Sequence, residues 1–326
     1  MKKSEAYSLL VVGLFASLIQ VSTSATAQAY PSKSIRIVVP YAPGGPADVA
    51  ARVVGEKLST EFNQPVIIDN RSGGNATIGT DYVARSAPDG YTLLFAAPAH
   101  TSNPSLMKTA TYDPVKDFVP ISLVMQQPLF VVVPTSVPAN NLKDLIATIK
   151  ANPGKYNYGT SGAGGPQHLM GEMFKAASGT QITHIPFRGA APAALALLSG
   201  ETQISFGTPT NTFPHVKTGK LKAMAVSTAK RSHFGPDVPT LSELGFSNFD
   251  YSSWTGLLAP AGTSPEIVER IHLAVVKALN TKDVKDKFDL QGMDGVGSSP
   301  EEFKKFLIQD TARSIRIIKE NGIQPE

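Results

Sequence analysis

The chain has 326 residues, 42% of them hydrophobic and 17% charged, a formal net charge of +4 and no cysteine. The missing cysteines exclude disulfides, a thiolate metal site and a cysteine nucleophile, so stability has to come from core burial, for which this length is ample. Lysine and arginine are scattered, clustering only at Lys217, Lys220 and Lys222 and at Arg313 and Arg316, which argues against a nucleic-acid-binding face.

Lys2 and Lys3, the mostly apolar run Leu9 to Ile19 and the small-x-small triplet Ala27-Gln28-Ala29 predict a secretory signal peptide over residues 1–29. The apolar run is too short to span a bilayer, and no cysteine follows it for a lipid anchor. The mature chain is expected to be exported, soluble and to begin near Tyr30. Without Lys2, Lys3 and Glu5 it keeps 28 basic and 25 acidic residues, a charge of +3.

From Ser34 onward short β-type runs alternate with helical stretches. Strands are predicted at 35–39, 66–68 and 92–96, and helices at 48–62 and 75–85. A long β-rich segment, Ile121 to Val133, breaks the alternation. The same grammar resumes with helices at 142–149 (Asn140 or Asn141 as N-cap), 167–177 and 190–198, and strands at 157–159, 184–187, 204–206 and 223–226. A second β-rich segment, Tyr251 to Leu258, precedes helices at 265–279, 284–290 and 300–318. This order predicts an α/β fold of two lobes, each a mostly parallel sheet flanked by helices. One lobe would comprise residues 30–124 plus 254–326 and the other 125–253, with the two β-rich segments crossing between them at a hinge.

Two glycine-rich turns carry the chemistry. Tyr41-Ala42-Pro43-Gly44-Gly45, with Asp48 in the following helix, joins the first strand to the first helix. Thr160-Ser161-Gly162-Ala163-Gly164-Gly165, with His168, does the same in the second half. Each aims helix-start N–H groups at whatever lies above it, an arrangement suited to an anion, although each also fits a plain strand-to-helix turn. The junction from Asn70 through Arg71, Gly73, Gly74 and Ala76 is a third exposed-backbone turn, where Arg71 is expected only to brace its neighbours. Gly159-Thr160-Ser161-Gly162-Ala163 approximates a nucleophile elbow, with Ala163 where the last glycine belongs; Ser161 would then be a hydrolase nucleophile, with His215, His233 or His272 as late partners. There is no phosphate-binding loop, dinucleotide fingerprint or His-Glu-x-x-His, and the six histidines are too dispersed for a metal cluster. No cofactor or metal is expected. Trp254 would line the cleft or pack at the hinge.

These stretches together resemble the TctC or Bug (Bordetella uptake gene) family, the periplasmic solute-binding proteins of tripartite tricarboxylate transporters. The resemblance rests on 37–45 with Asp48, Asn70-Arg71-Ser72-Gly73-Gly74, Asp89-Gly90-Tyr91-Thr92-Leu93-Leu94, 158–165 with His168, His184-Ile185-Pro186-Phe187-Arg188-Gly189, Val238 to Glu243 and Trp254 to Pro260. It implies a two-lobed periplasmic-binding-protein fold (type II-like) without catalysis. It also implies a ligand carboxylate held between Tyr41 to Gly45, helped by Gly73 to Ala76, and Ser161 to Gly165 with His168. Phe187, Arg188 and Gly189 would lie nearby, Arg188 as a carboxylate clamp or an ordinary surface arginine. Where the family commonly carries an aspartate after Ile204-Ser205-Phe206, this chain has Gly207 and Thr208. That departure argues against an amino-acid ligand and for more room, and so for a di- or tricarboxylate or an aromatic acid. The implied partners are the solute and TctA/TctB-like membrane subunits, with the receptor a monomer. A receptor that reports its solute to a sensor protein remains open beside uptake.

Overall fold

A computed structural model describes residues 30–187, 189–247 and 249–325. The expected signal peptide lies outside the described residues, and no described helix is long and apolar enough to cross a membrane.

The first lobe starts with β1 (Ile35–Val39), whose Ile35, Ile37, Val38 and Val39 are fully buried, as a strand covered on both faces requires. It is flanked in parallel by β2 (Val66–Asn70) and β3 (Thr92–Ala96), with Ile37 opposite Ile68 and Leu93. Helices α1 (Pro46–Phe62), α2 (Thr77–Ala84) and α3 (Ala99–Leu106) follow these strands in turn. The long strand β4 (Phe118–Pro128) then leads through Leu129 into β5 (Phe130–Pro134) of a second sheet.

The second lobe repeats the plan. α4 (Leu142–Ala151) is capped by Asn141, whose side chain accepts from Asp144 N–H at 2.9 Å. β6 (Asn157–Thr160) lies between β7 (Thr183–Pro186) and β8 (Ile204–Gly207), all parallel. Helices α5 (Pro166–Ser178), α6 (Ala190–Ser199) and α7 (Pro209–Lys217) follow them, and β9 (Leu221–Val226) ends the sheet. The chain returns on β10 (Ser252–Pro260), then forms α8 (Pro265–Leu279), α9 (Lys282–Leu290), the short β11 (Asp294–Gly295) and α10 (Pro300–Glu320). The sheet orders are β11-β4-β10-β3-β1-β2 and β7-β6-β8-β5-β9. Each sheet thus has a three-stranded parallel half, with the crossing strands antiparallel beside it.

Two helices were not legible in the sequence, α3 and α7. Both are short and polar and carry an internal proline, Pro104 and Pro214. Helix α10 links the lobes: Phe303 and Leu307 pack with Trp254 in the first core, whereas Ile317 and Ile318 join the second core with Phe174 and Phe206. Trp254 is fully buried between Phe303 and Phe306, so it packs in the first lobe instead of lining a cleft.

The buried carboxylate of Asp310 in α10 holds these parts in register. It accepts from Thr101 Oγ1 of α3 at 2.7 Å and from Trp254 Nε1 of β10 at 3.1 Å, and it pairs with Arg313. Asp310→Ala leaves three donors without their acceptor and is expected to cost about 3–5 kcal/mol. Urea denaturation would read this directly, and a loss below about 1 kcal/mol, the value of an exposed pair, would contradict the role.

Candidate functional site

Ligands of open α/β sheets bind outside the carboxyl ends of the parallel strands. The expected site residues fall there: 41–45 follows β1, 73–76 follows β2, 161–165 follows β6, 187–189 follows β7, and Gly207-Thr208 ends β8. Both principal turns start their helices alike, with Gly45 or Gly165 as N-cap and proline at the first helical position.

In the first turn Asp48 works inward. Its carboxylate accepts from Gly44 N–H at 2.9 Å, Arg52 Nε at 3.0 Å and Asn70 Nδ2 at 2.9 Å. Burial opposes its charge, but the bonds from Arg52, Gly44 and Asn70 outweigh burial and hold the carboxyl below its ordinary range. Asp48 and the Gly44 N–H therefore brace the loop and are already engaged. Asn70 Nδ2 also donates to the Tyr41 carbonyl at 3.1 Å. Because a trans peptide sets C=O and the next N–H antiparallel, this bond turns the Ala42 N–H away from Asn70. Among the described residues no protein group accepts from Ala42 or Gly45 N–H. The Tyr41 hydroxyl is buried with no hydrogen-bond partner among the described residues, and burial pushes its pKa well up.

The second turn is satisfied in the same manner. Ser161 N–H donates to Gln167 Oε1 at 2.8 Å, Gly162 N–H to Thr160 Oγ1 at 3.3 Å, and Gly164 N–H to His168 Nδ1 at 3.0 Å. His168 thus serves the turn as an acceptor, which places its ring proton on Nε2. Thr160 Oγ1 donates to the Gly162 carbonyl at 3.0 Å, so the Ala163 N–H on that peptide points away from Thr160. Among the described residues it has no acceptor, nor has Gly165 N–H.

Under this turn lies an aromatic stack. The His168 and His184 rings are 3.9 Å apart and nearly parallel, and Tyr158 stacks on His184 at 5.1 Å. His184 Nε2 meets Thr160 Oγ1 at 2.7 Å, while Glu172 accepts from Tyr158 at 2.6 Å and from Lys175. Burial lowers the pKa of His168, against the pull of Glu172. Burial, with His168 and Lys175 beside it, lowers His184 to about 3.

The loop after β2 is unusual: Gly73, Gly74, Asn75 and Ala76 all have positive φ, of 126°, 54°, 52° and 76°. The helix expected from Asn75 begins at Thr77 instead, because these backbone angles are not helical. Asn75 reaches the second lobe, its Nδ2 donating to the Ala163 carbonyl at 2.8 Å. Sequence reasoning included Asn75 only as part of the Gly73 to Ala76 turn and His184 only as part of a matching stretch, without a role for either side chain, and it missed Ser102, Asn103 and Gln167. Asparagine after two glycines was the available signal, since it tolerates the left-handed region.

Phe187 N–H donates to the Thr160 carbonyl at 2.9 Å, closing β7 onto β6, and Gly189 caps α6. Arg188 lies outside the described residues. Gly207 departs from expectation, because it does not leave room. A Cβ there would lie 2.3 Å from Thr212 Cγ2, and the cavity that both residues line holds only about 10 Å³, scarcely room for one water. Thr208 is buried and caps α7; its carbonyl accepts from Thr212 Oγ1 at 2.9 Å. A larger cavity of about 330 Å³ beside α8, α9 and β11 is lined by none of the turn residues.

The family model described as the tripartite tricarboxylate transporter family receptor, TctC, matches residues 50–323. The chain belongs to this family. It is 35% identical to the protein BugT of Bordetella pertussis, over 96% of this chain and 97% of that one. A solved R. palustris protein with adipate is 32% identical, has a TM-score of 0.84, and covers 91% of this chain and 100% of its own. MatC from Rhodopseudomonas palustris, solved with bound malate, is 28% identical with a TM-score of 0.81, covering 89% of this chain and 100% of its own.

TctC proteins are periplasmic solute-binding receptors and not enzymes, which overturns the hydrolase alternative at Ser161. The geometry agrees. Ser161 is exposed, the nearby His168 uses Nδ1 for Gly164, and no described histidine nitrogen bonds the Ser161 hydroxyl.

Two expectations follow. Gly207→Ala forces Thr212 to move and is expected to cost about 1–3 kcal/mol. On a Thr212→Ser background, which keeps the hydroxyl and removes the methyl, urea denaturation should show most of that cost gone; an equal cost on both backgrounds would exclude the packing account. The second concerns acid. His184 is neutral when folded to about pH 3, and buried His100, which binds the Pro114 carbonyl, to about pH 4. Unfolded histidine takes up its proton near pH 6.5, so between those limits the unfolded chain binds more protons and stability falls as pH falls. His184→Gln, still able to donate to Thr160, should flatten the pH dependence of stability between pH 6.5 and 4 by up to about one proton. An unchanged slope would remove His184 from this account.

Proposed function

We propose that the protein is a periplasmic receptor that closes its two lobes on a small organic carboxylate and delivers it to TctA/TctB-like membrane subunits of a tripartite tricarboxylate-type transporter. The single observation that carries this reading is the pair of N–H groups, Ala42 turned away from Asn70 and Ala163 turned away from Thr160, which have no protein acceptor among the described residues. They lie in the turns just before the N-caps Gly45 and Gly165 of α1 and α5, whose helix dipoles favour an anion nearby. Backbone dipoles can solvate a carboxylate with no counter-charge in the cleft. Lobes of 30–124 with 254–326, and of 125–253, place one turn on each side, and hinge closure brings them onto the solute.

The solute class narrows further. Asp48 is engaged by Arg52, Gly44 and Asn70, so the first turn has no carboxylate to meet an ammonium group. That favours an acid without an amino group. The space behind Gly207 is filled by Thr212, which removes the support for an aromatic acid and leaves a slim di- or tricarboxylate as the better fit. Relatives solved with adipate and with malate belong to that class.

A thermal-shift series with adipate, malate, citrate, benzoate and glutamate on the mature protein tests the class, since a solute that binds only the folded state raises the melting temperature. The slim acids are expected to raise it and glutamate is not. If glutamate alone did so, the assignment would be wrong. Ala163→Pro removes one N–H and is expected to weaken binding of the responding acid about 10- to 150-fold, the value of one hydrogen bond to a charged group. Calorimetry showing unchanged affinity in this variant would remove Ala163 from the site.

A further inference from the structure

The two lobes touch directly at the second glycine turn, through groups that need no solute. Asn75 Nδ2 donates to the Ala163 carbonyl at 2.8 Å, and Ser102 Oγ of α3, fully buried, donates to the Gly164 carbonyl at 2.9 Å. Asn75 is itself gripped by Asn103: Asn103 Nδ2 donates to the Asn75 carbonyl at 2.6 Å, and Asn103 Oδ1 accepts from Asn75 Nδ2 at 3.0 Å. Leu106, at the end of α3, fits against Gly164, where a Cβ would lie 2.6 Å from its Cδ1. Although α3 belongs to the first lobe, Leu106 packs into the second lobe's core. The left-handed run Gly73 to Ala76 presents Asn75, and such strain persists only where surrounding contacts hold it.

We propose that Asn75 and Ser102 are positioning residues that latch the second glycine turn across the cleft. Their bonds fix the Ala163 and Gly164 carbonyls from the first lobe, and so fix the attitude of the turn that presents the Ala163 N–H. The latch favours the closed arrangement before any solute arrives, and a solute bound between the turns adds to it. What the latch presents rests on the carboxylate reading. The latch itself does not, and it is tested without solute.

The absence of cysteine makes a clean distance measurement available. Ala87→Cys in the first lobe and Ala151→Cys at the end of α4 in the second are exposed positions for a spin-label pair. Pulsed dipolar spectroscopy of the solute-free protein is expected to give one dominant distance. Adding Asn75→Gly and Ser102→Ala together should make a second population, at a different distance, the major one. Asn75→Gly keeps a backbone that accepts positive φ, so the lobes should fold normally. Superimposable distance distributions with and without the latch would overturn the proposal, and so would a lower melting temperature with unchanged distances. Should the double variant fail to fold, Ser102→Ala alone decides: a partial shift to the second distance supports the latch, and no shift overturns it. Because no carboxylate is present, failure here leaves the solute assignment standing, and failure of the solute series leaves the latch standing.

Discussion

One peptide, Ala163–Gly164, is held from both sides of the molecule. Its carbonyl accepts from Asn75 of the first lobe and its N–H donates to His168 of the second. A trans peptide sets these two groups in opposite directions, so the bonds are compatible only when the lobes face each other across this turn. The rest of the arrangement follows from that constraint. Gly164 has to lack a side chain because Leu106 closes against it, and His168 has to be neutral because Nδ1 is an acceptor. A protonated His168 would present a donor to a donor.

The His168–His184 stack enforces that neutrality. Two imidazoles 3.9 Å apart under this turn cannot both carry charge at modest energy, and burial of the rings already disfavours the first charge. Glu172 would pull a proton onto His168, but it is tied up by Tyr158 and Lys175, and its nearest oxygen stands 4.0 Å from His168 Nε2. The first lobe solves the same problem with opposite chemistry. There an ionised carboxylate, Asp48, takes the turn's N–H and is itself balanced by Arg52 and Asn70. Either way, each turn is partly saturated internally and selected N–H groups are left over.

The fold was legible because its signals are periodic and local. The buried run Ile35-Arg36-Ile37-Val38-Val39, the Asn141 cap and the amphipathic α8 and α10 each announce themselves within a few residues. The helices α3 and α7 did not, because their polar, proline-containing sequences form helix only when packed between larger elements. The location of the candidate site was legible through its glycines, whereas the function of individual groups was not. The Gly44 and Gly164 N–H groups looked available from the sequence, yet each is engaged by a side chain four residues further on, Asp48 and His168. Gly207 read as empty space for a related reason. The sequence shows a missing side chain, but only the tertiary structure shows Thr212 occupying its place.

That filled space changes how selectivity is understood here. If an aspartate position in a receptor were simply vacated, the cleft would widen and accept bulkier acids. Here the methyl group of Thr212 lies where a side chain of residue 207 would start and its hydroxyl is tied to the Thr208 carbonyl, so the missing side chain leaves no vacancy. The change therefore removes charge without adding volume. If the proposed receptor closes such a wall on its solute, it would discriminate by what it fails to solvate: an ammonium group would be desolvated with no acceptor of opposite charge, a cost of several kcal/mol that shape alone cannot offset. On the proposed carboxylate reading, recognition of the acid group by N–H dipoles and rejection of the amine by an uncharged wall would be two independent terms, one set by the glycine turns and the other by β8 and α7.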